Sequence, residues 1–272
     1  MKVHALLALA ASSLATTTAA PLTTAEISKT INDVRVLQPS KPAATAVVGS
    51  KVGGSSSVQT GRQSRAELTF ADRTITRIGA NSLFSFRSGS RDMEIKDGSF
   101  LLQVPKNAGG ATIRTSTVTA AITGTTTMME HSAGKYVKFI TLEGKATLSL
   151  KNGKSTKVIP PGTMVVFHPD VNQIPDPVVV NIRKLIRTSN LVNMGPLLEA
   201  EPLIKETVVE QDAKRQNGDL NPSGTIVEGP GSRTGKDSPD PGTSRNILPI
   251  QPTPPPKPDY PGGGTGPPII GK

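Results

Sequence analysis

From Val47 to Phe167 the chain is a succession of short segments rich in Val, Ile, Thr and Phe, separated at close spacing by Gly, Asn and Asp. No other feature constrains the fold as much. Apolar runs this short, each bounded by a residue that accepts a turn, suit strands of an all-β domain. Within them Ser64-Arg65-Ala66-Glu67-Leu68-Thr69-Phe70 alternates strictly. Ala66, Leu68 and Phe70 share one face and Arg65, Glu67 and Thr69 the other, the pattern of a half-buried strand. Asp97-Gly98 and Asn152-Gly153 can take the positive φ angles of two-residue hairpin turns, which predicts tight reversals after residues 93–95 and 146–150. Glu143-Gly144 and Pro160-Pro161-Gly162 mark two further turns.

The pattern changes after Pro177. Val178, Val179, Ile182, Leu185, Ile186 and Leu191 recur at helical spacing with Arg183, Lys184 and Arg187 between them, predicting an amphipathic helix over 177–192. A weaker helix is expected over 196–214, its start broken or displaced by Pro202, with a Glu-rich composition suited to a solvated surface. From Gln216 the periodicity is lost and prolines accumulate, so 216–272 reads as a disordered, polyproline-like tail.

At the other end Lys2 precedes an apolar run from Ala5 to Leu14 and small residues through Ala20, the pattern of a secretory signal peptide over 1–20. A first core helix is the alternative. The mature chain is expected to start between Ala20 and Glu26, and nothing after it approaches the roughly 18 apolar residues of a membrane span. The expected organisation is therefore a signal peptide, a β domain over 30–175, a helical segment over 176–215 and the tail.

Composition removes several chemistries. The chain has no cysteine, which excludes disulfides, thiolate zinc sites and Cys nucleophiles. His131 and His168 have no metal-ligand spacing around them, so no metal site is expected. Gly153-Lys154-Ser155 lacks the earlier glycine of a phosphate loop, because Leu148 stands in its place. Glu67, Glu94, Glu130 and Glu143 could pair for glycoside hydrolysis, but a chain with no Trp and two Tyr has few platforms for sugar rings. No catalytic residue, cofactor or nucleic-acid partner is expected.

The net charge is +10, and residues 21–175 carry nearly all of it, with 19 Lys and Arg against 10 Asp and Glu. Such a field serves solubility, or it serves attraction to acidic envelope polymers, with Arg62, Arg65 and Arg73 as candidate contacts.

The segment 47–168 resembles the FecR domain, the periplasmic part of ferric-citrate-type sigma regulators. The matching residues are Ser57-Val58-Gln59-Thr60-Gly61-Arg62-Gln63-Ser64-Arg65-Ala66-Glu67-Leu68, then Asp97-Gly98-Ser99-Phe100, Ile113-Arg114-Thr115, Ala121-Ile122-Thr123-Gly124-Thr125, Leu142-Glu143-Gly144 and Pro161-Gly162. The resemblance implies a twisted β-solenoid-like or sandwich-like domain in which Gly61, Gly98, Gly124, Gly144, Gly153 and Gly162 permit tight turns. Where the complete regulators carry a cytoplasmic helical segment and a transmembrane helix, this sequence has a signal-peptide pattern. The control of a sigma factor is therefore not carried over. The expected function is that of a non-enzymatic binding, scaffold or signalling module of the periplasm or the cell exterior, with an envelope protein as partner. Binding of cell-wall glycan or lipopolysaccharide is the alternative.

Overall fold

The computed structural model describes residues 20–195 and 198–220. Residues 1–19 of the expected signal peptide and the tail beyond Leu220 lie outside them.

Two β layers face each other. One contains, in spatial order, β4 (Lys51–Gly53), β1 (Thr24–Ile31), β6 (Arg65–Phe70), β7 (Ile75–Ile78), the second half of β9 (Asp92–Gln103), β12 (Thr126–Ser132), β13 (Tyr136–Glu143), β16 (Thr163–Phe167) and β17 (Val178–Val179). The other contains β3 (Ala44–Thr45), β2 (Val34–Leu37), β5 (Ser57–Thr60), β8 (Leu83–Phe86), the first half of β9, β10 (Gly110–Arg114), β11 (Val118–Thr123), β14 (Ala146–Leu150) and β15 (Thr156–Ile159). Neighbours are antiparallel except β9 and β10. Of the two architectures left open by the sequence, this register selects a sandwich, because the neighbours of a solenoid run parallel. Ile27, Leu68, Phe84, Ile95, Phe100, Ile113, Phe139 and Leu148 fill the space between the layers.

The chain passes from layer to layer at glycine corners. Gly61 lies between β5 and β6, Gly124 between β11 and β12, Gly144 between β13 and β14, and Gly162 between β15 and β16. Asp97-Gly98 is a correction: the expected reversal does not occur. β9 runs straight through it, pairing with β8 up to Asp97 and with β12 from Gly98. Of the two residues only Gly98 takes positive φ, so the strand changes layer there without reversing, and each half has partners in a different layer. At Asn152-Gly153 the reversal is present, but Lys151–Ser155 form its loop in place of two residues.

The helical segment is packed on the first layer, which we call the covered layer. The helix expected over 177–192 is shorter, α1 (Ile182–Thr188). Val178 and Val179 pair instead with Met164 and Thr163 as β17, and the helix starts only where the Asn181 side chain accepts the Lys184 N–H at 2.9 Å. The second helix is α2 (Glu201–Gln216), with Pro202 in its first turn, where no intrahelical N–H is lost. It is not wholly solvated, because Ile204, Thr207, Val208 and Gln211 form a buried stripe. Together these helices cover Leu101, Met128, Ile140, Leu142 and Met164 on the outer face of the layer. At about 1.5–3 kcal/mol for each fully buried side chain, that cover is worth on the order of 10 kcal/mol. Gln211 joins helix to corner: its Nε2 donates to Gly162 O and Val180 O, and its Oε1 accepts the Ile182 N–H.

Candidate functional site

Among the described residues the outer face of the second layer has no such cover, and we call this the open layer. Its strands alternate buried and half-exposed or exposed residues along β5, β8, β10, β11 and β14. The register carries one polar row across seven neighbouring strands, from β5 to β15: Ser57 opposite Ser85, then Glu94, Arg114, Thr119, Ser149 and Thr156. At one end of the row a cleft of about 270 Å³ lies among Ser55, Ser57, Ser85, Arg87, Glu94 and Arg114. Asp92 pairs with both cations, at 3.5 Å from Arg87 and 3.4 Å from Arg114. Exposed pairs of this kind contribute little to stability and leave their charges open to a partner. Two of its six neighbour pairs, β5–β8 and β11–β14, join strands that are not consecutive, so no local motif announced the row as a whole. The signal that could have located it is the strict alternation of β11 and β14, Val-Thr-Ala-Ala-Ile-Thr and Ala-Thr-Leu-Ser-Leu.

The three arginines singled out from the sequence do not form one patch. Arg62 is exposed at the β5–β6 corner, and Arg65 opens β6 with its Nε buried and without a partner among the described residues. Arg73 lies beyond the other end of β6, roughly 17 Å along a strand at 3.3–3.4 Å per residue. There it pairs with Glu199 at 3.3 Å. As for the turn glycines, Gly98, Gly124, Gly144, Gly153 and Gly162 have positive φ, whereas Gly61 does not, and Gln63 takes the left-handed conformation at that corner.

Glu67 departs from the half-buried strand read from the alternation. It is buried on the covered layer, where its Oε2 accepts the Arg77 Nε–H at 2.6 Å and its Oε1 accepts the Ser28 hydroxyl at 2.8 Å. Arg77, also fully buried, donates to Leu191 O at 3.1 Å and Val192 O at 2.5 Å. This ion pair therefore ties down the chain after α1. Gly195 closes over it so tightly that a Cβ would stand 2.6 Å from Glu67 Oε2.

His131 is buried at the end of β12, with Nδ1 2.8 Å from Lys96 O and Nε2 3.0 Å from the Ser116 hydroxyl. A carbonyl can only accept, so Nδ1 carries the proton and Nε2 accepts from Ser116. Burial holds the imidazole below its ordinary pKa. The arrangement is a neutral, doubly bonded histidine that fastens the β10–β11 turn to β9. Among the described residues no three of His, Asp and Glu are gathered as metal ligands, and no helix is long and apolar enough to cross a membrane.

A mostly β sandwich with one helix-covered and one open face describes the class of domain. Residues 56–147, from just before β5 into β14, match the family model described as FecR protein, so the resemblance read from the sequence is shown over that span. No curated protein matches the chain. Two crystal structures, at 1.65 Å and 2.50 Å, of a candidate anti-sigma factor from Parabacteroides distasonis are similar, at 14% and 12% identity and a TM-score of 0.39 in both cases. Each match covers 44% of this chain and 57% of the solved one.

Proposed function

We propose that the protein is an exported, non-enzymatic binding module of the bacterial envelope, acting in signalling or assembly, whose open layer docks a protein partner. The FecR match supports a regulatory role. The observation that carries the choice of surface is the asymmetry of the sandwich: α1 and α2 occupy one outer face, while no described residue covers the polar row from Ser57 to Thr156. A hydrogen-bonded sheet costs little entropy to order on binding. Its serine, threonine and paired charged side chains offer donors and acceptors at regular spacing. Export rests on the N-terminal pattern, with the periplasm or the cell exterior as destination.

The test is capture of envelope proteins by the immobilised full chain. Replacement of Thr119 and Thr147 together by Lys on the open face should abolish capture, while Val209→Asp on the exposed side of α2 should preserve it. Capture lost only with Val209→Asp would move the surface to the helices. Retention on purified cell-wall glycan that disappears at high salt would replace a protein partner by an acidic polymer, since the Debye length falls from about 10 Å at 0.1 M to about 3 Å at 1 M.

A further inference from the structure

One end of the covered layer holds a second, smaller feature, remote in kind from the open face. Ile75, Gln103, Thr126 and Glu143 stand in register across β7, β9, β12 and β13, where these strands meet the start of α2. Gln103 is 1% exposed and Glu143 3%. The Gln103 Oε1 accepts the Ala200 N–H at 3.1 Å, which orients the amide and leaves Nε2 as its free half. The Glu143 Oε1 accepts the Thr126 hydroxyl at 2.8 Å. The remaining atoms, Gln103 Nε2 and Glu143 Oε2, are buried with no hydrogen-bond partner among the described residues.

Both residues line a cleft of about 230 Å³ bounded by Arg73, Lys106, Glu199 and Ala200. Ala200 precedes α2 and gives its first turn no side-chain cap. Leaving one buried polar atom unpaired costs about 1–3 kcal/mol, so two on one cleft, with Thr126 between their strands, define the complement that would relieve them: one acceptor toward Gln103 and one donor toward Glu143. A bare cation would face the Gln103 amide hydrogens and the Lys106 charge, and a bare anion would face Glu143. A trans secondary amide lying between the two residues meets both demands from its opposite edges, its carbonyl toward Gln103 Nε2 and its N–H toward Glu143 Oε2. At the rim Arg73 is paired with Glu199, and Lys106 then favours a carboxylate beside that amide.

We propose that this cleft binds an N-acylated acid, a secondary amide with a neighbouring carboxylate, of the kind found at an acylated amino acid or on an N-acetylated sugar acid. The volume lies below the roughly 300 Å³ at which sites for drug-sized ligands begin, so the cleft holds one such unit and no polymer segment. The inference is independent of the docking face, and its failure leaves that reading intact.

Calorimetric titration of the full chain with N-acetylglutamate and with N-acetylmuramate tests it, with free glutamate and acetate as controls. At least one acylated acid should bind about 10-fold or more tighter than the controls, and which one binds assigns the source. Gln103→Leu should weaken that binding about 10-fold, one hydrogen bond's worth. Lys106→Ala, on the exposed rim where folding is spared, should weaken it severalfold and decides the matter if Gln103→Leu does not fold. No binding at millimolar concentration would mean that water alone serves the two atoms, and the proposal falls. Equal binding of free glutamate, or unchanged binding by Lys106→Ala, overturns it as well.

Discussion

Arg77 is the residue whose loss tests the structural account most severely. Arg77→Met removes the guanidinium from a site where the side chain has no exposure, leaving the Glu67 carboxylate buried with Ser28 as its remaining partner and the Leu191 and Val192 carbonyls without this donor. Breaking a buried pair from one side costs about 3–5 kcal/mol, a factor of about 10² to 5 × 10³ in the folded-to-unfolded ratio. Adding Glu67→Leu removes the stranded charge and should recover part of the loss. The rest reports on the two carbonyls, at about 1–3 kcal/mol for each that water does not reach. Urea denaturation of the four proteins gives the coupling energy, and hydrogen exchange over 182–195 should show the earliest loss of protection in Arg77→Met. A loss under about 1 kcal/mol, or single variants whose effects simply add, would refute the view that this pair fastens the helical segment to the sheet.

Three further outcomes are expected. Burial raises the Glu143 carboxyl above the ordinary value, so the folded state holds its proton more tightly and stability from this group falls as pH rises from the ordinary to the raised value; Glu143→Gln should gain on the parent through that window in thermal melts. For His131, held below its ordinary value, the unfolded chain takes the proton first, so stability falls as pH drops below the ordinary histidine value, and His131→Gln should flatten that part of the profile. Gly124→Ala should cost more than about 1 kcal/mol in urea denaturation, because φ is +55° and the new Cβ would lie 2.8 Å from Lys106 Cα.

The alternating segments and the placing of two helices after Pro177 were legible in the chain, because each depends on residues within one strand or helix. The polar face of β6 shows where that legibility stops. Read by itself, Arg65-Glu67-Thr69 faces water. In the folded protein Glu67 is buried, because Arg77 from the next strand and the carbonyls of Leu191 and Val192, more than a hundred residues away, supply its surroundings. The same holds for Gln103 and Glu143, ordinary polar residues in the sequence that meet only through the pairing of β9, β12 and β13. Arg62 and Arg73, close in sequence, are separated by the length of a strand. The chain by itself determined that strands form and that the fold is mostly β, and it marked most of the turns but not that β9 continues through Asp97-Gly98. Tertiary structure alone decided which sheet face is covered and which polar groups converge, because those depend on desolvation by partners whose distance along the chain leaves no local pattern.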